Sequence, residues 1–298
     1  MPHPSLRQAL LKNEFILAPG VFDMISARVA DGMGFKALYA TGYGVTASHL
    51  GLADAGIATY TDMVSRMGTI AKGCKTPVIS DADTGYGGLL NVRHTVRGYE
   101  DAGVTAIQIE DQEVPKKCGH TPGRKVIPAE EMALKIRVAA EARQSEAVLI
   151  IARTAARTSL GLAEAIRRGK LSAEAGADVI FIESPETEEE MAEVGRQIKK
   201  PLFANMVEGG RTPILPAETL HAMGYRIAIY PAIGFLTVAA ALERAYTTLA
   251  RDGHSNNLPA DASYGFGRMC DLMGFPDVWD FDRKWAEIAG NLPPKAAE

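Results

Sequence analysis

The chain has 298 residues, 47% hydrophobic and 23% charged, enough apolar material for a large core in one barrel-sized domain. A formal net charge of −4, with no basic run or arginine stripe, argues against a general nucleic-acid binder. Three widely separated cysteines, Cys74, Cys118 and Cys270, do not suggest a disulfide framework or a zinc ribbon, and they fit a reducing, cytoplasmic setting.

The opening MPHPSLRQALLKNE lacks the basic segment and long apolar run of a secretion signal. No stretch of about 18 apolar residues predicts a membrane span. Short apolar runs predict buried strands at 15–18, 37–41, 78–81, 106–110, 148–153, 179–183, 202–205 and 227–230, with helical periodicity between them. In 131–143, for example, Met132, Ile136, Ala139 and Ala140 share one face, and Pro128 precedes the helix, where a first-turn proline is tolerated. A weak internal repeat has the same sense. DAGVTAIQIED (101–111) and EAGADVIFIES (174–184) each run from a helix end through Ala-Gly to an apolar strand ending in Glu, and GFKALYATG (34–42) and GYRIAIYPA (224–232) echo them. The glycine suits a left-handed helix C-cap before the next strand.

Repeated strand–helix units predict an α/β chain, a (β/α)₈ TIM-type barrel over residues 1–253. A doubly wound open sheet is the alternative, weakened because no GxGxxG opens a helix after the first strand. The polar stretch 254–265 and two short helices at 266–273 and 279–289 make a C-terminal helical extension over 254–298. It carries both tryptophans, Trp279 and Trp285, and suits packing on its own barrel or on a neighbouring subunit.

In such a barrel the active site lies at the C-terminal ends of the strands. The polar residues expected there are Tyr39, Thr41, Tyr43, Asp81, Asp83, Glu110, Asp111, Arg153, Glu183, and Asn205 with Glu208. A cluster of buried carboxylates needs a cation, because each alone is costly to desolvate. Asp81 and Asp83 stand two apart, on the same side of an extended segment. Oxygen ligands with no His or Cys nearby suit Mg²⁺ or Mn²⁺ rather than Zn²⁺. The pair would also serve simply to cap the following turn, but Glu110 and Glu183 at the same mouth favour a metal. Arg153 suits a bidentate clamp on a substrate carboxylate, an ion pair with Glu110 or Glu183, or both.

The segment 111–126, DQEVPKKCGHTPGRKV, leaves a strand end and is punctuated by Pro115, Gly119, Pro122 and Gly123. Lys116, Lys117, His120, Arg124 and Lys125 flank Cys118, and a thiol among cations is a better proton donor or nucleophile. The glycines permit the hinge motion of a lid. A mobile basic surface loop with an incidental cysteine is the plainer alternative. His120 reads as an orienting or structural residue rather than a zinc ligand.

KKCGH (116–120) resembles the signature of the isocitrate lyase and phosphoenolpyruvate mutase superfamily. YATGYGV (39–45), LGLAD (50–54), SDADTGYGG (80–88), IEDQ (109–112), IART (151–154) and Glu183 with ANMVEGG (204–210) follow in that family's order, over roughly residues 10–250. CGHTPGRKV is more similar to the dimethylmalate lyase and oxaloacetate hydrolase branch than to bacterial methylisocitrate lyases.

The resemblance implies a Mg²⁺-dependent carbon–carbon lyase, Mn²⁺ substituting, acting on a 2-hydroxy dicarboxylate. It also implies a homotetramer with the C-terminal helix swapped between subunits, and no nucleic-acid or membrane partner. Asp83, and Asp81 through water, would hold the metal, with Asp54, Glu110 and Glu183 around it. Thr41, Gly42 and Tyr43 would bind the 2-oxo acid carboxylate, and Arg153 and Asn205 would contact substrate, with Lys116, Gly119 and His120 of the lid around it. Cys118 would protonate the leaving enolate, and Tyr39 would help remove the hydroxyl proton. Two departures stand out. The family's arginine–threonine–aspartate run reads Arg153-Thr154-Ala155, and YPAIGF (230–235) is followed by Leu236, where tricarboxylate-cleaving members carry arginine. The second disfavours a third carboxylate. An oxaloacetate hydrolase or decarboxylase, a phosphonate mutase and a non-catalytic acid binder are the rival readings.

Overall fold

The structure, a computed structural model, describes residues 5–290 except 120 and 122. Its centre is a closed barrel of eight parallel strands in sequence order: β1 (Ile16–Val21), β2 (Leu38–Ala40), β3 (Val78–Asp81), β4 (Ala106–Glu110), β5 (Leu149–Thr154), β6 (Val179–Ile182), β7 (Leu202–Asn205) and β8 (Tyr225–Tyr230). The barrel closes where Ile16 pairs with Ile227 and Pro19 with Tyr230. The open-sheet alternative is thereby excluded. Each predicted strand is present. The largest shift is at β1, predicted to stop at Ala18. It runs on to Val21 because Gly20 lies directly on the backbone of Pro231, where a Cβ would overlap it.

Alternation along the strands builds two apolar layers. Tyr39, Ile79, Ala106, Leu149, Ile151, Val179, Phe181, Phe203, Ile227 and Ile229 point inward and fill the barrel. Leu38, Val78, Ile107, Ile150, Ile180, Leu202 and Ala228 point outward against the helices. The helix Ser5–Leu11 adds Leu6 to the inner cluster, and Arg7 bonds Asp178 at 3.0 Å.

The predicted helix 131–143 is Ala129–Ala142, with Met132, Ile136 and Ala139 buried and Pro128 at its N-cap. The repeat glycines Gly34, Gly103, Gly176 and Gly224 all have positive φ, between 79° and 111°, as a left-handed cap before a strand requires.

The chain divides between Thr237 and Val238 into two compact units. The second holds helices Phe266–Met273 and Phe275–Gly290, which bury none of their residues. No helix among the described residues is long and apolar enough to cross a membrane.

Candidate active site

The inward set changes character at the C-terminal ends of the strands. Two residues beyond Ile79 stands Asp81, and beyond Ile151 stands Arg153. Glu183 follows Phe181, and Asn205 follows Phe203. On β4 the polar run begins earlier, with Gln108 and Glu110 after Ala106. The same period that packs the barrel therefore delivers polar groups to one mouth, all buried.

Arg153 is the hub. Its Nη2 pairs with Glu183 at 2.7 Å and its Nε with Glu110 at 3.3 Å, while the guanidinium lies over the Phe181 ring. Both ion pairs foreseen as alternatives are present. Burial disfavours this charge, but Glu183 and Glu110 outweigh it and raise the Arg153 pKa. Asn205 donates to Glu183 at 3.2 Å. Ala155 removes nothing from this hub. Asp111 accepts from Thr154 Oγ1 (2.6 Å), the Ala155 N–H (2.9 Å) and Arg168 (2.9 Å), so it holds the turn after β5 and points away from the mouth. Glu208 is exposed and does not join the cluster.

Beside the hub lie Asp54, Asp81, Asp83 and Lys116. The Lys116 ammonium pairs with Asp54 at 2.5 Å and also with Asp83. Asp83 has φ +50°, and its N–H donates to Asp81 Oδ1 at 3.0 Å, so Asp81 also caps the turn. Among the described residues Lys116 and Arg153 pair directly within a cluster of five carboxylates, and the buried Arg124 adds its charge toward Glu183 and Glu110 without an ion pair. Burial above all pushes the Asp83 carboxyl up to about 7, with Asp81 and Asp54 adding and Lys116 opposing.

This cluster has room, electrostatically, for a further cation. Among the described residues no three His, Cys, Asp or Glu side chains converge as a ready-made metal cage. A hard cation that takes one or two carboxylates and keeps its waters needs no such cage. The Asp81–Asp83 pair fits it: both carboxylates are buried, and Asp83 Oδ1 meets the Lys116 ammonium.

The lid segment arches over this cluster. Its ends zip together through an antiparallel bridge between Gln112 and Val126 and a Glu113 N–H to Lys125 O bond of 3.0 Å. Cys118 N–H donates to Asp54 O at 3.1 Å, and Ser184 Oγ to Gly119 O at 3.4 Å. Gly119 rests on the Arg153–Glu183 pair: a Cβ there would lie 2.8 Å from Glu183 Oε2 and closer still to Arg153. Only glycine permits that approach. The cations flanking Cys118 in sequence separate in space. Lys116 turns inward to the carboxylates and Arg124 bonds Thr158 at 2.6 Å. His120 lies outside the described residues.

Beneath the lid is a cavity of about 250 Å³. Tyr39, Thr41, Asp54, Asp81, Cys118, Arg153 and Asn205 give its lining polar groups, and Val207, Ile229, Phe235 and Leu236 give it apolar surface, with Tyr43 and Gly119 beside them. Thr41 is the N-cap of helix Gly42–Leu50 and makes no side-chain cap bond, leaving its hydroxyl available to a ligand. Gly42 packs against Asp81, where a Cβ would lie 2.6 Å from Oδ2. Lys116, Glu110, Asp83 and Glu183 stand behind this lining rather than in it.

Tyr39 donates to Gln108 at 3.0 Å, and Gln108 in turn donates to Asp81 at 3.4 Å. Burial first, then Asp81, pushes the Tyr39 phenol well above its ordinary range, so it stays protonated. Gln108, Gln112 and Ser184 received no site role from the sequence, although all three lie in runs singled out there. Gln108 shares the inward register of Glu110, which was the available signal.

A family profile described as phosphoenolpyruvate phosphomutase matches residues 6–250. The chain is 45% identical to a 2,3-dimethylmalate lyase of Eubacterium barkeri over 94% of this chain and 97% of that one. It is 39% identical to a 2-methylisocitrate lyase of Aeropyrum pernix, over 95% and 90% respectively. A solved structure of oxaloacetate acetylhydrolase with the inhibitor 3,3-difluorooxalacetate superposes with a TM-score of 0.89, at 36% identity, over 95% of this chain and 96% of that one. With barrel, lid and family profile in agreement, the chain belongs to the phosphoenolpyruvate phosphomutase and isocitrate lyase superfamily, and it is an enzyme of the carbon–carbon lyase type.

Proposed function

We propose that this enzyme cleaves the C2–C3 bond of an alkyl-substituted malate to a 2-oxo acid and a carboxylate, with Mg²⁺ (or Mn²⁺) held at Asp81 and Asp83. The observation that carries the reading is the make-up of the cavity lining. It joins Cys118 and Arg153 to the apolar side chains of Val207, Phe235 and Leu236, and, among the described residues, Arg153 is the only cation in it. A third carboxylate would face Val207, Phe235 and Leu236 unpaired, whereas an alkyl substituent would be buried there favourably.

When bound, the metal lowers the pKa of the substrate's 2-hydroxyl and polarises the carbonyl as it forms. Thr41 and the N-terminus of helix Gly42–Leu50 hold the C1 carboxylate. Arg153 and Asn205 orient the departing carboxylate. Tyr39 gives its proton to Gln108 in a hydrogen bond, so its oxygen presents a lone pair to the 2-hydroxyl; its raised pKa makes it an orienting acceptor, and the hydroxyl proton passes to the Asp81 carboxylate that lines the cavity. The bond electrons pass to the leaving carboxylate's enolate, and the Cys118 thiol protonates it at carbon from the lid. Gly119 closes the roof and excludes water, which protects that enolate. We further propose a homotetramer in which the C-terminal helices cover a neighbouring subunit.

The second reading, oxaloacetate hydrolysis, draws on the likeness to the acetylhydrolase structure. Incubation with Mg²⁺ and a panel of dimethylmalate, 2-alkylmalates, methylisocitrate and oxaloacetate, with products identified by mass spectrometry, decides. A 2-oxo acid plus a monocarboxylate from an alkylmalate, lost with EDTA, is the expected result. Oxalate from oxaloacetate alone would replace this reading with the second.

A further inference from the structure

In the run IEDQ, Ile109 is core, Glu110 pairs with Arg153, and Asp111 holds the turn after β5. Gln112 has no part in the chemistry above, yet it is buried and every polar group of its amide is engaged. Its Nε2 donates to both oxygens of Glu110 at 3.0 Å and to Lys117 O at 2.8 Å. Its Oε1 accepts the Lys117 N–H at 3.1 Å. Both backbone groups of the residue before Cys118 are thus gripped by one side chain. Turning the amide over would set its oxygen against the Glu110 carboxylate, so the grip has one orientation.

We propose that Gln112 is a positioning residue that seats Cys118 over the cavity, tying the lid to Glu110 and through it to Arg153. The three residues 117–119 are each held from a different wall. Lys117 is held by Gln112 at the exit of β4, Cys118 by Asp54 O, and Gly119 by Ser184 after β6. Gln112 also forms the stem of the lid through its backbone bridge to Val126, so the clamp is anchored where the lid leaves the barrel. Arg153, Glu110, Gln112 and Lys117 make a continuous line from the substrate-binding cation to the residue beside the thiol. A main-chain pair fixed by a buried side chain loses more order than a surface contact when that side chain is cut.

The test uses the full-length enzyme as Gln112→Met, which removes every amide bond at similar size, and Gln112→Glu, which keeps the acceptor but loses both donors and sets a carboxylate against Glu110. Iodoacetamide labelling of each cysteine is followed by peptide mass spectrometry. Cys74, half-buried at the end of helix Tyr60–Gly73, reports general loosening in the same molecule. Cys118 should label about tenfold faster or more in both variants while Cys74 labels at the native rate. A Cys118 rate within about twofold of native, or a Cys74 rate rising in parallel in both variants, overturns the proposal. If Gln112→Met does not fold, Gln112→Glu alone decides by the same criteria. The consequence for turnover rests on Cys118 being the proton donor: kcat should fall about tenfold or more with KM within about threefold. Faster labelling with unchanged kcat would leave the seating role standing and remove Cys118 from the chemistry.

Discussion

At the residue scale, the buried polar cluster was legible mainly through side chains that carry charge, although Asp111 and Glu208, expected at the same mouth, do not join it. Asp81, Asp83, Glu110, Arg153 and Glu183 stood out because ionisable groups at strand ends have few structural uses. Lys116 was grouped with the cations around Cys118, but successive residues of an extended segment face opposite ways, so Lys116 is buried against Asp54 and Asp83 while Lys117 is exposed. Gln112 was legible only as the last residue of the IEDQ run, with no role attached, because a neutral amide announces nothing until its four bonds are seen. Cys118→Ser is expected to lower kcat by about 10²-fold or more, since a hydroxyl is a far weaker acid than a thiol. Mn²⁺ affinity, measured by titration calorimetry, should stay at the native value because Cys118 is not among the proposed ligands. Native turnover in that variant would end its role as proton donor.

At the element scale, the helix Glu188–Gln197 is set against the end of the next helix, Ala217–Ala222, by a contact too close for any side chain. Gly195 of helix Glu188–Gln197 lies against the Met223 carbonyl, and a Cβ there would penetrate that oxygen. Gly195→Ala should destabilise by about 1–3 kcal/mol, read as an earlier thermal midpoint, because backbone rather than a side-chain tip must move. The end of helix Tyr60–Gly73 gives a pH-dependent case. Burial, aided by Asp31 and opposed by Arg28, pushes the Cys74 thiol from 9.0 up to about 11. The folded state therefore favours the neutral thiol. That contribution to stability is whole below pH 9.0 and is lost as the pH climbs through about 11. Alkylation of Cys74 should accordingly gain about tenfold per pH unit between 8 and 10, without levelling at the ordinary thiol value. A plateau near pH 9.0 would show the thiol to be unshifted.

At the scale of the whole molecule, the second unit leaves large apolar side chains uncovered. Phe266, Trp279, Phe281 and Trp285 are exposed to between 49% and 86% in a single chain. Large apolar side chains left uncovered together on two helices fit a protein interface. The proposed tetramer predicts that Trp279→Asp with Trp285→Asp yields a lighter species in analytical ultracentrifugation, with the native enzyme sedimenting as four copies. A native enzyme that sediments as one copy would refute the assembly.

The sequence by itself determined a repeating strand–helix chain, because the short apolar runs, the glycine caps and the helical segments between them recur and each unit carries its own signal, while closure into a barrel rather than an open sheet was decided by the pairing of β1 with β8. It also determined which end of the barrel is polar, since inward positions turn from Ile, Leu and Phe to Asp, Glu, Arg and Asn within two residues. Only the tertiary structure decided what each polar group touches. Glu110 and Glu183 meet Arg153 across three neighbouring strands, Asp111 turns outward to Arg168, and the lid is gripped from three walls. Those contacts join residues far apart in the chain, where the geometry of closure, rather than any local preference, sets the distance.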